Sequence, residues 1–131
     1  MGFGDVLDDE TERIAKEIVD AIFRVHSALG PGLLESICVQ CLVLELEARG
    51  LRVQREVWLP IIYLGRKIEP GMRLDLLVED RIVVEAKAVE TLHPVFHATT
   101  KTYLKLSKKR LGILVNFNVP LIKDGIKRII L

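Results

Sequence analysis

Cysteines, aromatic residues, long apolar runs and an excess of one charge are all scarce in this chain. Two cysteines in 131 residues cannot make a disulfide framework. Aromatic residues are 5% against 50% hydrophobic residues overall, so the core has to be built mainly from Leu, Ile and Val. Such a composition suits a sheet covered on both faces, or a subunit that also buries surface against a partner. No apolar run approaches the ~18 residues of a membrane span. The opening MGFGDVLDDETER is acidic and lacks the apolar segment of a secretion signal, and Val6 stands where a myristoylation signal wants Ser or Thr. The 19 Lys and Arg nearly balance the 18 Asp and Glu, for a net charge of +1. A nucleic-acid binder of this kind has to gather its basic residues locally. What is present, a mean hydropathy of +0.29 with 28% charged residues, excludes a disordered chain. The expectation is a soluble cytoplasmic protein forming one domain over residues 1–131, with 1–10 as a flexible N-terminal extension.

Apolar residues at Ile14, Ile18, Ala21, Ile22, Val25 and Leu29 recur at three and four, the mark of one helix face. Gly30-Pro31-Gly32 interrupts that helix. A second helix is predicted from Leu33 to Arg49, apolar nearly all round and therefore buried and central, with Gly50 as its stop. Beyond Gly50 the period becomes that of strands. Leu51 to Leu59 is one; Ile61 to Ile68 reads as a hairpin turning at Gly65, and Pro70-Gly71 as another turn. Strands at Met72–Val78 and Ile82–Val89, a helix at Pro94–Leu106, and strands at Leu111–Phe117 and Ile126–Leu131 complete the chain. This order implies an α/β fold, a mixed sheet with helices on its faces.

Alternation puts Met72, Leu74, Leu76 and Val78 on one face of their strand and Arg73, Asp75 and Leu77 on the other. In the next strand Ile82, Val84, Ala86 and Ala88 oppose Val83, Glu85 and Lys87. If the two strands form a hairpin, their apolar faces have to coincide. Pairing Val78 with Ile82 achieves this and sets Asp75 opposite Glu85, with Lys87 two residues on along the same face. Two carboxylates so placed repel unless something compensates, and a divalent cation held by oxygen ligands is one compensation. The plainer alternative is an exposed face on which Arg73 and Lys87 pair with the two acids. Glu35 shares a helical stripe with Val39, Leu42 and Leu46, and a carboxylate on an apolar stripe needs a partner. It is either a first-turn acid complementing the helix dipole or a third carboxylate reaching the Asp75/Glu85 face.

The segments His26-Ser27-Ala28-Leu29-Gly30-Pro31-Gly32-Leu33-Leu34-Glu35, Arg73-Leu74-Asp75-Leu76-Leu77-Val78 and Val84-Glu85-Ala86-Lys87-Ala88 resemble the GxxExxY family. So do Tyr103-Leu104-Lys105-Leu106 and Gly112-Ile113-Leu114-Val115-Asn116-Phe117-Asn118. These are small proteins of the PD-(D/E)xK nuclease superfamily, and the resemblance runs from about Ile14 to the end. It implies a restriction-endonuclease-like core and hydrolysis of a phosphodiester with Mg²⁺ or Mn²⁺. By the same resemblance Asp75, Glu85 and the carbonyl of Ala86 are metal ligands. Lys87 orients or deprotonates the attacking water or stabilises charge on the phosphate, and Glu35 completes the acidic cluster. Two departures stand out. Cys38 occupies the place of the family's Tyr, and His97-Ala98-Thr99 occupies that of a Glu-Ala-Gln segment on the third helix.

Other residues invite different readings. Cys38-Val39-Gln40-Cys41 is a CxxC, but it lies inside a helix and lacks a second ligand pair, so inert thiols are expected. His93 and His97 are four apart without the Glu of HExxH or a third ligand. His26 reads as a satisfied, part-buried histidine. Lys101, Lys105, Lys108 and Lys109 form a basic stripe suited to phosphates, and nothing resembles a base-reading element. The expected partner is therefore nucleic acid, DNA ahead of RNA, read with little sequence specificity. The alternative is a catalytically weak or inactive nuclease-fold module that binds nucleic acid or a protein partner. Trp58 and the Ile-rich early hairpin raise the further prospect of a homodimer.

Overall fold

A computed structural model describes residues 7–131. The chain runs α1 (Asp9–Leu29), α2 (Glu35–Ala48), β1 (Val53–Tyr63), β2 (Arg66–Val78), β3 (Ile82–Lys87), α3 (Pro94–Ser107), β4 (Leu111–Asn116) and β5 (Ile126–Ile130). The strands form one sheet in the order β1-β2-β3-β4-β5. β3 and β4 are parallel, joined across α3, and the other neighbours are antiparallel. The expected mixed α/β architecture is present. Among the described residues no helix is long and apolar enough to cross a membrane.

α1 begins where Asp8 accepts a hydrogen bond from the Thr11 N–H at 2.6 Å, with Asp9, Glu10 and Glu12 in the first turn. Acids there complement the helix dipole. Asp9 and Glu10 thus belong to a helix rather than to an extension, and residues 1–6 lie outside the described part. Ile14, Ile18, Ala21, Ile22 and Val25 are buried, as their period predicts. They pack with Cys38, Leu42 and Leu46 of α2 against Leu76, Val78, Val84, Ala86, Ile113 and Val115 of the sheet. A smaller cluster on the other face joins Leu104 of α3 to Leu74, Leu77, Val83, Leu114 and Ile129. β4 is buried along its whole length between these layers.

Three expectations need correction. α2 is not buried all round: Ile37 is 39% and Leu44 67% exposed, and Leu34 just before it is 70% exposed. Only one side of it meets α1 and the sheet, and apolar composition cannot create a second layer to cover the rest. Pro70-Gly71 is not a turn either. It lies inside β2, where Gly71 has φ 79°, and a Cβ there would sit 2.1 Å from the Leu59 carbonyl oxygen. This close backbone approach lets the ribbon step its register between Leu59 and Ile61, so the four expected segments merge into one long hairpin. Finally, the alternation along β2 breaks at Asp75. Leu76 and Val78 face α1 and α2, whereas Leu74 joins Leu77 in the α3 cluster. The β1–β2 ladder lacks the Glu56–Asp75 pair, and Glu56 has φ 49°. A non-glycine residue in that region marks a local switch of the pleat.

Candidate active site

The hairpin register is the expected one: Val78 pairs with Ile82, Leu77 with Val83 and Leu76 with Val84. The ladder then stops, and side chains replace the next backbone bonds. The Asp75 N–H donates to Glu85 Oε1 at 3.3 Å, and the Ala86 N–H donates to Asp75 Oδ2 at 3.0 Å. The two strands part here, and the two carboxylates sit in the fork. In an extended strand the carbonyl of a residue leaves on the same edge as its N–H. The Ala86 carbonyl is therefore directed toward the Asp75 side.

Glu85 is only 5% exposed. Burial, then the neighbouring Asp75 charge and hydrogen bonding with Asp75, push its carboxyl up to about 9. Asp75 is less enclosed, and Arg73 Nη2 lies 3.8 Å from its Oδ1. Lys87 does not close an ion pair with either acid. Its ammonium lies over the Phe96 ring, 4.5 Å from the centroid. From there its charge still favours the ionised forms of Glu85 and Glu35.

Glu35 comes to this fork from the first position of α2. The preceding turn is fixed by Gly32, whose φ of 95° suits glycine and whose N–H donates to Asn118 Oδ1 at 3.0 Å. His26 holds the same loop through a 2.8 Å contact between Nε2 and the Val119 carbonyl, so it is the satisfied histidine expected. Partial burial raises the Glu35 carboxyl; Lys87 opposes this, Asp75 adds to it, and Arg73 and the Ala88 N–H oppose it. Glu35, Ser36, Val39, Arg55, Glu56, Arg73 and Asp75 line one cavity. A second, on the α3 side, is lined by Arg73, Asp75, Glu85, Lys87, Phe96, Thr99, Thr100 and Tyr103. Asp75 and Arg73 are common to both.

Asp75, Glu85 and Lys87 thus line one cavity, and Glu35 lines the neighbouring one, with Asp75 and Arg73 common to both. The lysine stripe lines neither. Lys101 and Lys105 flank a shallow groove with Ala98, Thr102 and Leu131, Lys108 is the C-cap of α3, and Lys109 pairs with Asp80 at 3.2 Å. Sequence reasoning passed over Arg55, Phe96 and Tyr103 as site residues. Phe96, Thr99, Thr100 and Tyr103 recur at three, four and seven, a helical face legible from spacing alone. Burial, then the charges of Glu85 and Asp75, raise the Tyr103 hydroxyl. His93 caps α3 by accepting from the Val95 N–H, which accounts for one member of the suspected histidine pair. Cys38 is buried with its thiol pushed up by burial, and Cys41 is half-buried.

Among the described residues no three of His, Cys, Asp and Glu are placed together so that they could hold a metal ion, so Glu35 does not join Asp75 and Glu85 as a third ligand here. Two carboxylates beside a backbone carbonyl fit a hard cation that keeps several waters better than they fit a structural zinc. A profile of the PD-(D/E)XK nuclease superfamily matches residues 12–129. The chain belongs to this superfamily. Neither the curated proteins nor the solved structures contain a match to it. PD-(D/E)XK nucleases are generally dependent on divalent metals, and Asp75 with Glu85-Ala86-Lys87 matches the D and (D/E)XK of that name, whereas Leu74 stands in place of its Pro.

Proposed function

We propose that this PD-(D/E)XK protein is a Mg²⁺- or Mn²⁺-dependent nuclease of the GxxExxY type, acting as a single domain on DNA in preference to RNA. The observation that carries the reading is the Asp75/Glu85 pair. A buried carboxyl pushed up to about 9 beside a second carboxylate is poorly compensated by the protein alone. A divalent cation offsets both charges and supplies Lewis-acid stabilisation of a phosphodiester. Asp75, Glu85 and the Ala86 carbonyl are its ligands in this reading. Glu35 faces the same site from α2 and holds a water or a second ion.

Lys87 has the geometry of a positioning cation. The Phe96 ring holds its ammonium, and both residues line the cavity that Asp75 and Glu85 share. There it orients the attacking water and offsets charge growing on the phosphate. Lys101, Lys105 and Lys108 lie further out and serve to hold the polyanion rather than to act on it. With no base-reading element at the site, little sequence specificity follows. Two free cysteines accord with a reducing, cytoplasmic setting.

The test is cleavage of labelled single- and double-stranded DNA and RNA in Mg²⁺ or Mn²⁺, beside EDTA and Lys87→Ala controls. Cleavage lost in both controls supports the nuclease. A folded protein that cleaves none of the four sinks it, and binding without cleavage, indifferent to Lys87→Ala, favours the inactive binding module.

A further inference from the structure

Trp58 is the chain's one tryptophan, and 56% of it is exposed, although tryptophans are highly buried on average. Its ladder partner is Arg73. Directly paired residues share a sheet face, with Cβ atoms about 5 Å apart. Arg73 lines both cavities and reaches Asp75 at 3.8 Å and Glu56 at 3.9 Å. The two side chains therefore leave the same face of the ribbon, two residues, or about 7 Å of strand, from Asp75, with the guanidinium reaching along the strand toward Glu56 and Asp75.

We propose that Trp58 and Arg73 form a grip for a strand with an unpaired base next to the scissile bond, the ring stacking on the base and the guanidinium holding the adjoining phosphate. This rests on the nuclease reading and names the form of its substrate: single-stranded or locally unpaired nucleic acid. The chemistry follows from the two side chains. A guanidinium matches a phosphate with paired hydrogen bonds, and an exposed indole stacks on any base whose face is free. Inside a duplex the base faces are taken by their neighbours. The grip discriminates by pairing state and not by sequence, as expected where no group reads base edges.

A contact between two copies through the ribbon is the competing use of the same residues, since Ile62, Tyr63 and Leu64 at its tip are also exposed. At Trp58 it fits less well. It would strip water from Arg73 and from the carboxylates beside it, and would cover the cavities they line.

Trp58 reports on the proposal directly through its fluorescence. Fluorescein-labelled oligothymidine of about 12 nucleotides, and a hairpin duplex of matching length, are titrated with wild-type protein in EDTA and with Lys87→Ala protein in Mg²⁺. The single strand is expected to quench Trp58 along the same curve as the anisotropy rise, and the duplex to leave it largely unquenched. Trp58→Ala weakens single-strand binding about tenfold without matching loss on the duplex, and Trp58→Phe retains most of it. Binding that leaves Trp58 emission unchanged, or equal quenching by duplex, overturns the grip. Metal-dependent cleavage would survive that result, so the nuclease reading would stand. Absence of cleavage on every substrate would remove both. Trp58 emission that shifts with protein concentration alone, alongside a dimeric mass, would assign the ring to a contact between copies and overturn the proposal.

Discussion

The chemistry of single residues concentrates at Glu85. Its carboxyl, at about 9 in the fold against the ordinary 4.5, keeps its proton across that interval while the unfolded chain has lost it. The native state then binds more protons than the unfolded state, so stability without metal falls as pH rises from 4.5 to about 9. Below 4.5 this contribution is fully present. Glu85→Gln keeps the shape and removes the proton. Urea midpoints measured across pH are expected to slope downward for the native protein and to flatten for the variant. Lys87 makes a different contribution. Its contact with Phe96 stabilises the fold by about 1 kcal/mol at most, while in the proposed nuclease its charge acts on the reacting group. Lys87→Ala is expected to lower cleavage by about 10²–10⁴-fold and to move the melting temperature little. Unfolding of the variant at the working temperature would contradict this. The acid pair was legible from sequence because two apolar strand faces had to coincide and the three-residue loop Glu79-Asp80-Arg81 favoured pairing Val78 with Ile82. The fork at Asp75 was not, because it depends on Glu56 and the switched pleat of a neighbouring strand.

At the level of elements, α2 separates composition from burial. Its apolar residues surround the helix, yet Leu42 is fully buried while Leu44 is 67% exposed. Leu42→Ala is expected to cost about 2–5 kcal/mol and Leu44→Ala less than about 0.5, read from denaturation midpoints. Similar losses at both would restore the helix buried all round. Sequence spacing located α1, α3 and β4 well, because each has an unambiguous stripe or a short run between clear stops. It misread the β1–β2 ribbon, where Pro70 and Gly71 carry the usual turn signal but serve a close backbone approach. Gly71→Ala has to place its Cβ 2.1 Å from the Leu59 carbonyl oxygen and hold φ 79°, so a loss of about 2 kcal/mol or more is expected. Loss of the ribbon also moves Arg73 and Asp75. The same variant should therefore weaken nucleic-acid binding even where the core remains folded.

In the proposed nuclease the whole molecule couples metal, proton and stability through one fork. Three separate elements converge on it: β2 brings Asp75, β3 brings Glu85 and Lys87, and α2 brings Glu35 over the turn held by Asn118. The unfolded chain has no such convergence, so a cation that binds there stabilises only the native state. At about a hundred times its dissociation constant, the gain is about 2.7 kcal/mol. For a domain of this size that amounts to a rise of about 10 °C in melting temperature. Because binding has to displace the proton that Glu85 retains, the rise in Mn²⁺ or Mg²⁺ is expected to be larger at pH 8 than at pH 6. EDTA reverses it, and Asp75→Asn abolishes it. Lys87→Ala keeps it, since the ammonium is not a ligand. An equal rise in Asp75→Asn would place the cation elsewhere on the molecule. A rise lost in Lys87→Ala would mean that the lysine organises the fork itself, and its effect on cleavage could then no longer be assigned to the water or the phosphate.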